Sequence, residues 1–141
     1  MTAVILPLNP AKPFFVRVHG KYGVHELRAV IDTASTYCLM RRKDAIELGY
    51  HAYYDPGVAN YGQGIVALTP NYIIKLPIVT LTKLEVGGIV LENVVAATQD
   101  MAEDLGVDVV LGQNFLEGLE ACFDFASHRV TLRRREGEDS P

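Results

Sequence analysis

The sequence predicts an all-β domain, barrel-like or sandwich-like, on three observations. Short apolar or β-branched runs recur about ten times, turns bearing glycine or proline separate them, and only two brief stretches are composed like helices. The chain of 141 residues suits one domain, and 49% apolar with 21% charged residues suits a globular chain with its own core. No internal repeat is visible.

Residues 3–8 read as an edge or interface strand, because Pro7, Pro10 and Pro13 keep a helix from starting there. Residues 14–19 and 24–31 form the first predicted hairpin, with Gly20-Lys21-Tyr22-Gly23 as its loop. A short strand over 37–40 leads into a helix over 41–48, which Gly49 ends. Residues 50–57, with three tyrosines and Asp55-Pro56-Gly57, read as a loop. From Gly62 a hairpin follows: strand 65–68, a break at Thr69-Pro70-Asn71, then strands 72–76 and 78–86. Gly87-Gly88 turns the chain into a core strand over 89–97, and 99–106 connects to a buried strand over 107–112. A short helix over 113–118 and a hairpin of 119–125 with 129–132 close the domain at residue 132, leaving 133–141 as a polar tail.

The first hairpin delivers the most unusual stretch, Val30-Ile31-Asp32-Thr33-Ala34-Ser35-Thr36. A carboxylate ending an apolar strand is costly unless it is hydrogen-bonded or shares a proton, and the adjacent hydroxyls and amides can satisfy it. Such residues also make ordinary turns and caps, so the stretch by itself leaves both readings open.

The net charge of −4 argues against a nucleic-acid partner, and the basic run Arg133-Arg134-Arg135 stands beside Glu136, Glu138 and Asp139 as a solvated tail would. No apolar run approaches the ~20 residues of a membrane span, and residues 3–8 are too short for a secretion signal, so a cytoplasmic location without membrane contact is expected. Cys38 and Cys122 are expected as buried free thiols, able to pair only if their strands meet. The histidines His19, His25, His51 and His128 show neither helical spacing nor neighbouring cysteines, so no metal and no cofactor is expected.

Three motifs in order resemble the retropepsin-like aspartic proteases, bacterial members in particular. They are the apolar strand into Asp32-Thr33-Ala34-Ser35, the glycine-flanked hairpin from Gly62, and Val109-Val110-Leu111-Gly112-Gln113-Asn114 before the last short helix. The resemblance spans about residues 14–132, closing hairpin included, and implies a closed or partly open β-barrel of that type. It also implies a homodimer, because the chemistry needs two carboxylates and the chain carries one signature; Asp124-Phe125-Ala126-Ser127 lacks the hydroxyl after its aspartate. By resemblance, Asp32 is the catalytic acid and base of an endopeptidase acting on peptide or protein substrates, and Thr33, Ala34 and Ser35 support it. In particular Thr33 would brace the dyad between subunits, and the Ser35 hydroxyl would support the carboxylate. Gly62, Gly64, Ile65 and Thr69 belong to a flap over the peptide, and Gly112 leaves room for packing behind the site.

The pattern departs at Ala34, where glycine is the family's usual residue although some members of the wider family carry alanine, and at Thr36 and Gln113, where retroviral members often carry an Asp–Arg ion pair. Both partners of that pair are neutral here, so no orphan charge remains, and residues 3–8 and 129–132 become candidates for an interface sheet. Ala34 and the proline-bearing flap motivate the alternative: a non-cleaving, retropepsin-like peptide-binding or dimerisation module.

Overall fold

Alternating burial shapes the first hairpin. In a computed structural model that describes residues 2–9, 11–50, 64–68, 73–101 and 103–135, Phe14, Val16 and Val18 of β2 (Phe14–Gly20) point inward while Phe15 and Arg17 stay exposed. Strand β3 (Gly23–Ile31) pairs with it from Phe14↔Ala29 to Gly20↔Gly23. The following elements are β4 (Cys38–Arg41), α1 (Arg42–Glu47), β5 (Gly64–Leu68), β6 (Ile73–Val86) and β7 (Ile89–Gln99). A 3-10 turn (Glu103–Leu105) leads to β8 (Val109–Leu111), α2 (Gln113–Leu116), β9 (Leu119–Asp124) and β10 (Arg129–Arg134), while β1 (Ala3–Pro7) opens the chain.

The strands close into a ring in the order β2-β3-β8-β4-β7-β6, and β6 returns to β2 through Arg17↔Glu85, Val18↔Leu84 and His19↔Lys83. Closure removes the free edges an open sheet would present. Two pairings in the ring are parallel, β3 with β8 and β4 with β7. Inside the ring Val16, Val18, Ala29, Met40, Leu81, Leu84, Leu111 and Phe115 are fully buried. Losing the Phe115 ring from such a core costs about 3–5 kcal/mol.

A second sheet, β1-β10-β9, lies against the barrel. Its inward residues Leu6, Leu119, Val130 and Leu132 join the common core, and its outward row includes Ile5, Thr131 and Cys122. Cys122 is therefore exposed rather than buried, because strand alternation gives the inward positions to Ala121 and Phe123; Cys38 is buried, and both thiols are free.

Two further differences from the sequence reading have local causes. Strand β6 runs unbroken through Pro77, because its pairing with β5 ends there, at Gly64↔Pro77, and its pairing with β7 begins at Ile78↔Ala97. At that handover a missing N–H disrupts neither ladder. Strand β10 continues to Arg134, whose guanidinium donates to the Val90 carbonyl. Gly49, at φ +97°, ends α1 as expected. Among the described residues no helix is long and apolar enough to cross a membrane.

Candidate active site

Asp32 stands one residue past the end of β3, where the parallel partner β8 also ends. Its N–H donates to the Leu111 carbonyl at 3.0 Å, which carries the ladder one residue beyond the strand. The side chain is exposed, and its Oδ1 accepts the Ala34 N–H at 2.9 Å. Ser35 N–H donates to the Asp32 carbonyl at 3.1 Å and completes the turn.

The turn is fixed from behind by the start of α2. Gln113 N–H donates to Ser35 O at 2.8 Å, Asn114 N–H to Thr36 O at 3.1 Å, and the Gln113 side-chain amide to Thr33 O at 2.7 Å. Gly112 makes this approach possible. A Cβ there would lie 2.5 Å from Tyr37 O and 2.6 Å from Ser35 O, both rigid backbone atoms. Its φ of −97° with ψ of −167° is extended backbone open to any residue, so space rather than conformation demands the glycine.

The expected site residues meet different fates. Asp32, Thr33, Ala34 and Ser35 occupy one loop, with the first three exposed at the barrel end. The Ser35 hydroxyl, expected to support the carboxylate, instead donates its single proton to Tyr37 O at 2.6 Å, and the Ala34 N–H serves Asp32. Ala34 itself is free of the strain that a glycine position suggests: the positive-φ non-glycines among the described residues are Asn93 and His128. Gly64 and Ile65 open β5, which pairs with β6 as the expected hairpin requires, through Gly64↔Pro77 and Ile65↔Leu76. Gly62 and Thr69 lie outside the described residues.

Asp124, the look-alike rejected in the sequence, caps the β9–β10 turn, with its Oδ1 accepting the Ser127 N–H at 3.2 Å. Hydrogen bonds from Ser127 hold its carboxyl below the usual range.

Sequence reasoning missed the brace supplied by Asn114. Its Oδ1 accepts the Cys38 N–H at 2.8 Å and its Nδ2 donates to Val95 O at 2.7 Å, tying β4 and β7 to the base of the loop. An asparagine two residues after Gly112 was the visible signal, but its partners lie 76 and 19 residues away. Beside it, burial pushes the Cys38 thiol up to about 11, so it is an inert packing group rather than a nucleophile.

With the loop and its support defined, a family model described as aspartyl protease matches residues 16–115. No curated protein matches the sequence. A retropepsin-like aspartic protease from Rickettsia conorii is similar in structure, with a TM-score of 0.65 and 17% identity over 93% of this chain and 89% of that one. An aspartic proteinase from Irpex lacteus gives a TM-score of 0.57 and 15% identity over 99% of this chain, and 49% of its own length is covered. At such identities the likeness shows the fold, which is the closed, retropepsin-like β-barrel expected from the sequence motifs.

Proposed function

This chain belongs to the aspartyl protease family, and from that premise we propose that it is an aspartic endopeptidase acting as a homodimer. The observation that carries the reading is the exposed Asp32 carboxylate at the mouth of the barrel, held through Oδ1 by one backbone N–H in a loop locked from behind. One chain supplies one such carboxylate; the second comes from the same residue of a second subunit.

Two carboxylates brought that close share a proton and titrate as a unit, as the aspartic proteases illustrate. The ionised member takes a proton from a water held between the pair, and the water attacks the scissile carbonyl. The protonated member hydrogen-bonds the carbonyl oxygen and then helps protonate the leaving amine. In this reading Thr33 braces the dyad across the two-fold axis. Ala34 offers backbone to the peptide, and the β5–β6 hairpin with Gly62, Gly64, Ile65 and Thr69 covers it. Strand β1, at the edge of the second sheet, is the candidate for the interface sheet; β10, the other strand expected there, is paired on both sides by β1 and β9 and offers no free edge. The substrates are peptides with apolar residues at the cleavage point.

The non-cleaving alternative loses part of its motive, since Ala34 does not occupy a positive-φ position. Cleavage of peptides at mildly acid pH by the purified chain tests the proposal. Asp32→Asn should lower the rate by about 10²–10⁴-fold, a statine-type transition-state mimic should inhibit the parent, and activity per subunit should fall on dilution. Unchanged cleavage in Asp32→Asn removes the assignment of Asp32. Full specific activity from a monomer removes the shared dyad.

A further inference from the structure

We propose that His25, Asp44 and Glu47 form a binding site for one divalent metal ion of the zinc type, separate from Asp32. Asp44 and Glu47 are three apart on α1 and so share a side of the helix. His25 comes from β3, because the β2–β3 turn is docked on the end of α1. Tyr22 N–H donates to Leu48 O at 3.1 Å, and Gly20 lacks the Cβ that would sit 2.3 Å from that same oxygen. The Tyr50 hydroxyl, just past the helix, donates to His19 O at 2.5 Å.

That docking places one potential ligand atom from each of the three residues within 4.8 Å of the others. Tetrahedral zinc, with bonds of about 2.0–2.1 Å, needs its donors roughly 3.3–3.5 Å apart. The side chain of Glu47 is exposed, so a rotamer change can close the gap.

A second observation points to a cation at the same place. Asp44 Oδ2 is buried and has no hydrogen-bond partner. The Arg41 Nε lies 3.5 Å from it, while the other guanidinium nitrogens donate to Met101 O, Val107 O and Asp108 Oδ1. The Arg41 ion pair balances part of this charge, but the oxygen accepts no hydrogen bond, and a metal bond to this carboxylate would supply the missing close partner.

An imidazole with two carboxylates suits zinc better than magnesium or calcium, which take oxygen ligands, and leaves a fourth position for water. Bound there, the ion would tie the first hairpin to α1.

The test is titration of the chelator-stripped full chain with zinc chloride, followed by calorimetry and thermal unfolding. One ion per chain should bind, and the unfolding temperature should rise. His25→Gln and Glu47→Gln should each weaken binding by at least about tenfold, and His128→Asn, at an exposed turn, should not. Equal affinity in parent, His25→Gln and Glu47→Gln would overturn the site. So would loss in His128→Asn, which marks adventitious surface zinc, or an equal response to magnesium chloride. If His25→Gln does not fold in the presence of chelator, Glu47→Gln, on the exposed last turn of α1, decides alone.

Discussion

Asp32 and Asp108 occupy opposite ends of the same parallel strand pair, β3 with β8, and the protein treats them in opposite ways. Asp108 is gripped: Oδ2 accepts Arg28 N–H at 2.9 Å and Arg28 Nε at 3.2 Å, and Oδ1 accepts Arg28 at 3.2 Å and Arg41 at 3.1 Å. Asp32 is exposed, and a backbone N–H holds one of its oxygens. Burial alone would push Asp108 up, but Arg28 and then Arg41 outweigh it and hold its carboxyl below the usual range. A carboxylate saturated by guanidinium groups is a clamp. One fixed in direction and left open to solvent can serve chemistry.

Removing the clamp is the strongest way to break this contrast short of altering Asp32 itself. Arg41 is 5% exposed, and Arg41→Met would leave Asp108 and Asp44 without a buried cation while filling much of its volume. Breaking a buried pair by removing one partner costs about 3–5 kcal/mol, readable as a fall in the urea midpoint. An unchanged midpoint would show that Arg28 alone satisfies Asp108. The pH dependence follows from the sign of the shift. With its folded pKa depressed, Asp108 contributes stability that is present above its ordinary value of 3.8 and is lost as pH falls through the folded value. Asp44, raised by burial, works oppositely: its contribution is present at low pH and lost as pH rises through its folded value. The clamp therefore survives the mildly acid conditions that suit the proposed dyad, and Asp108→Asn should flatten the acid limb of the stability curve.

The two ends were not equally legible in the sequence. The Asp32 loop announces itself locally, since Asp32, Thr33, Ala34 and Ser35 are consecutive and Gly112-Gln113-Asn114 follows an apolar strand. The strands were legible for the same reason, because alternation and glycine turns act over a few residues. The clamp joins residues 80 and 67 positions apart, and Val107-Asp108-Val109 reads simply as strand. Long-range charge pairing leaves no local period. Nor does the exposure of Cys122, which depends on which face of β9 meets the barrel.

Gly112→Ala probes the loop from behind with a smaller effect. The added methyl would meet Tyr37 O and Ser35 O at 2.5 and 2.6 Å, so the backbone of the loop must move away from α2. Overpacking of this kind costs about 1–3 kcal/mol, and the displaced Asp32 should lower peptide turnover more than the stability loss explains. Unaltered turnover in a folded Gly112→Ala would show that the position of Asp32 tolerates movement of its support.

Ala34→Gly gives the smallest effect and the clearest sign. If alanine were strained at the family's glycine position, the substitution would stabilise the protein. Ala34 is not among the positive-φ residues, so glycine relieves nothing and adds freedom to the unfolded chain. A loss of roughly 0.5–1 kcal/mol is therefore expected by urea unfolding. The Ala34 N–H stays in place for Asp32 Oδ1, so the rate-limiting chemistry of the proposed dyad should hold while KM falls for bulky peptides, as the methyl leaves the exposed loop beside Asp32. A stabilised variant would mean that the Asp32 loop carries strain, and the contrast between an unstrained open carboxylate and a clamped one would need redrawing.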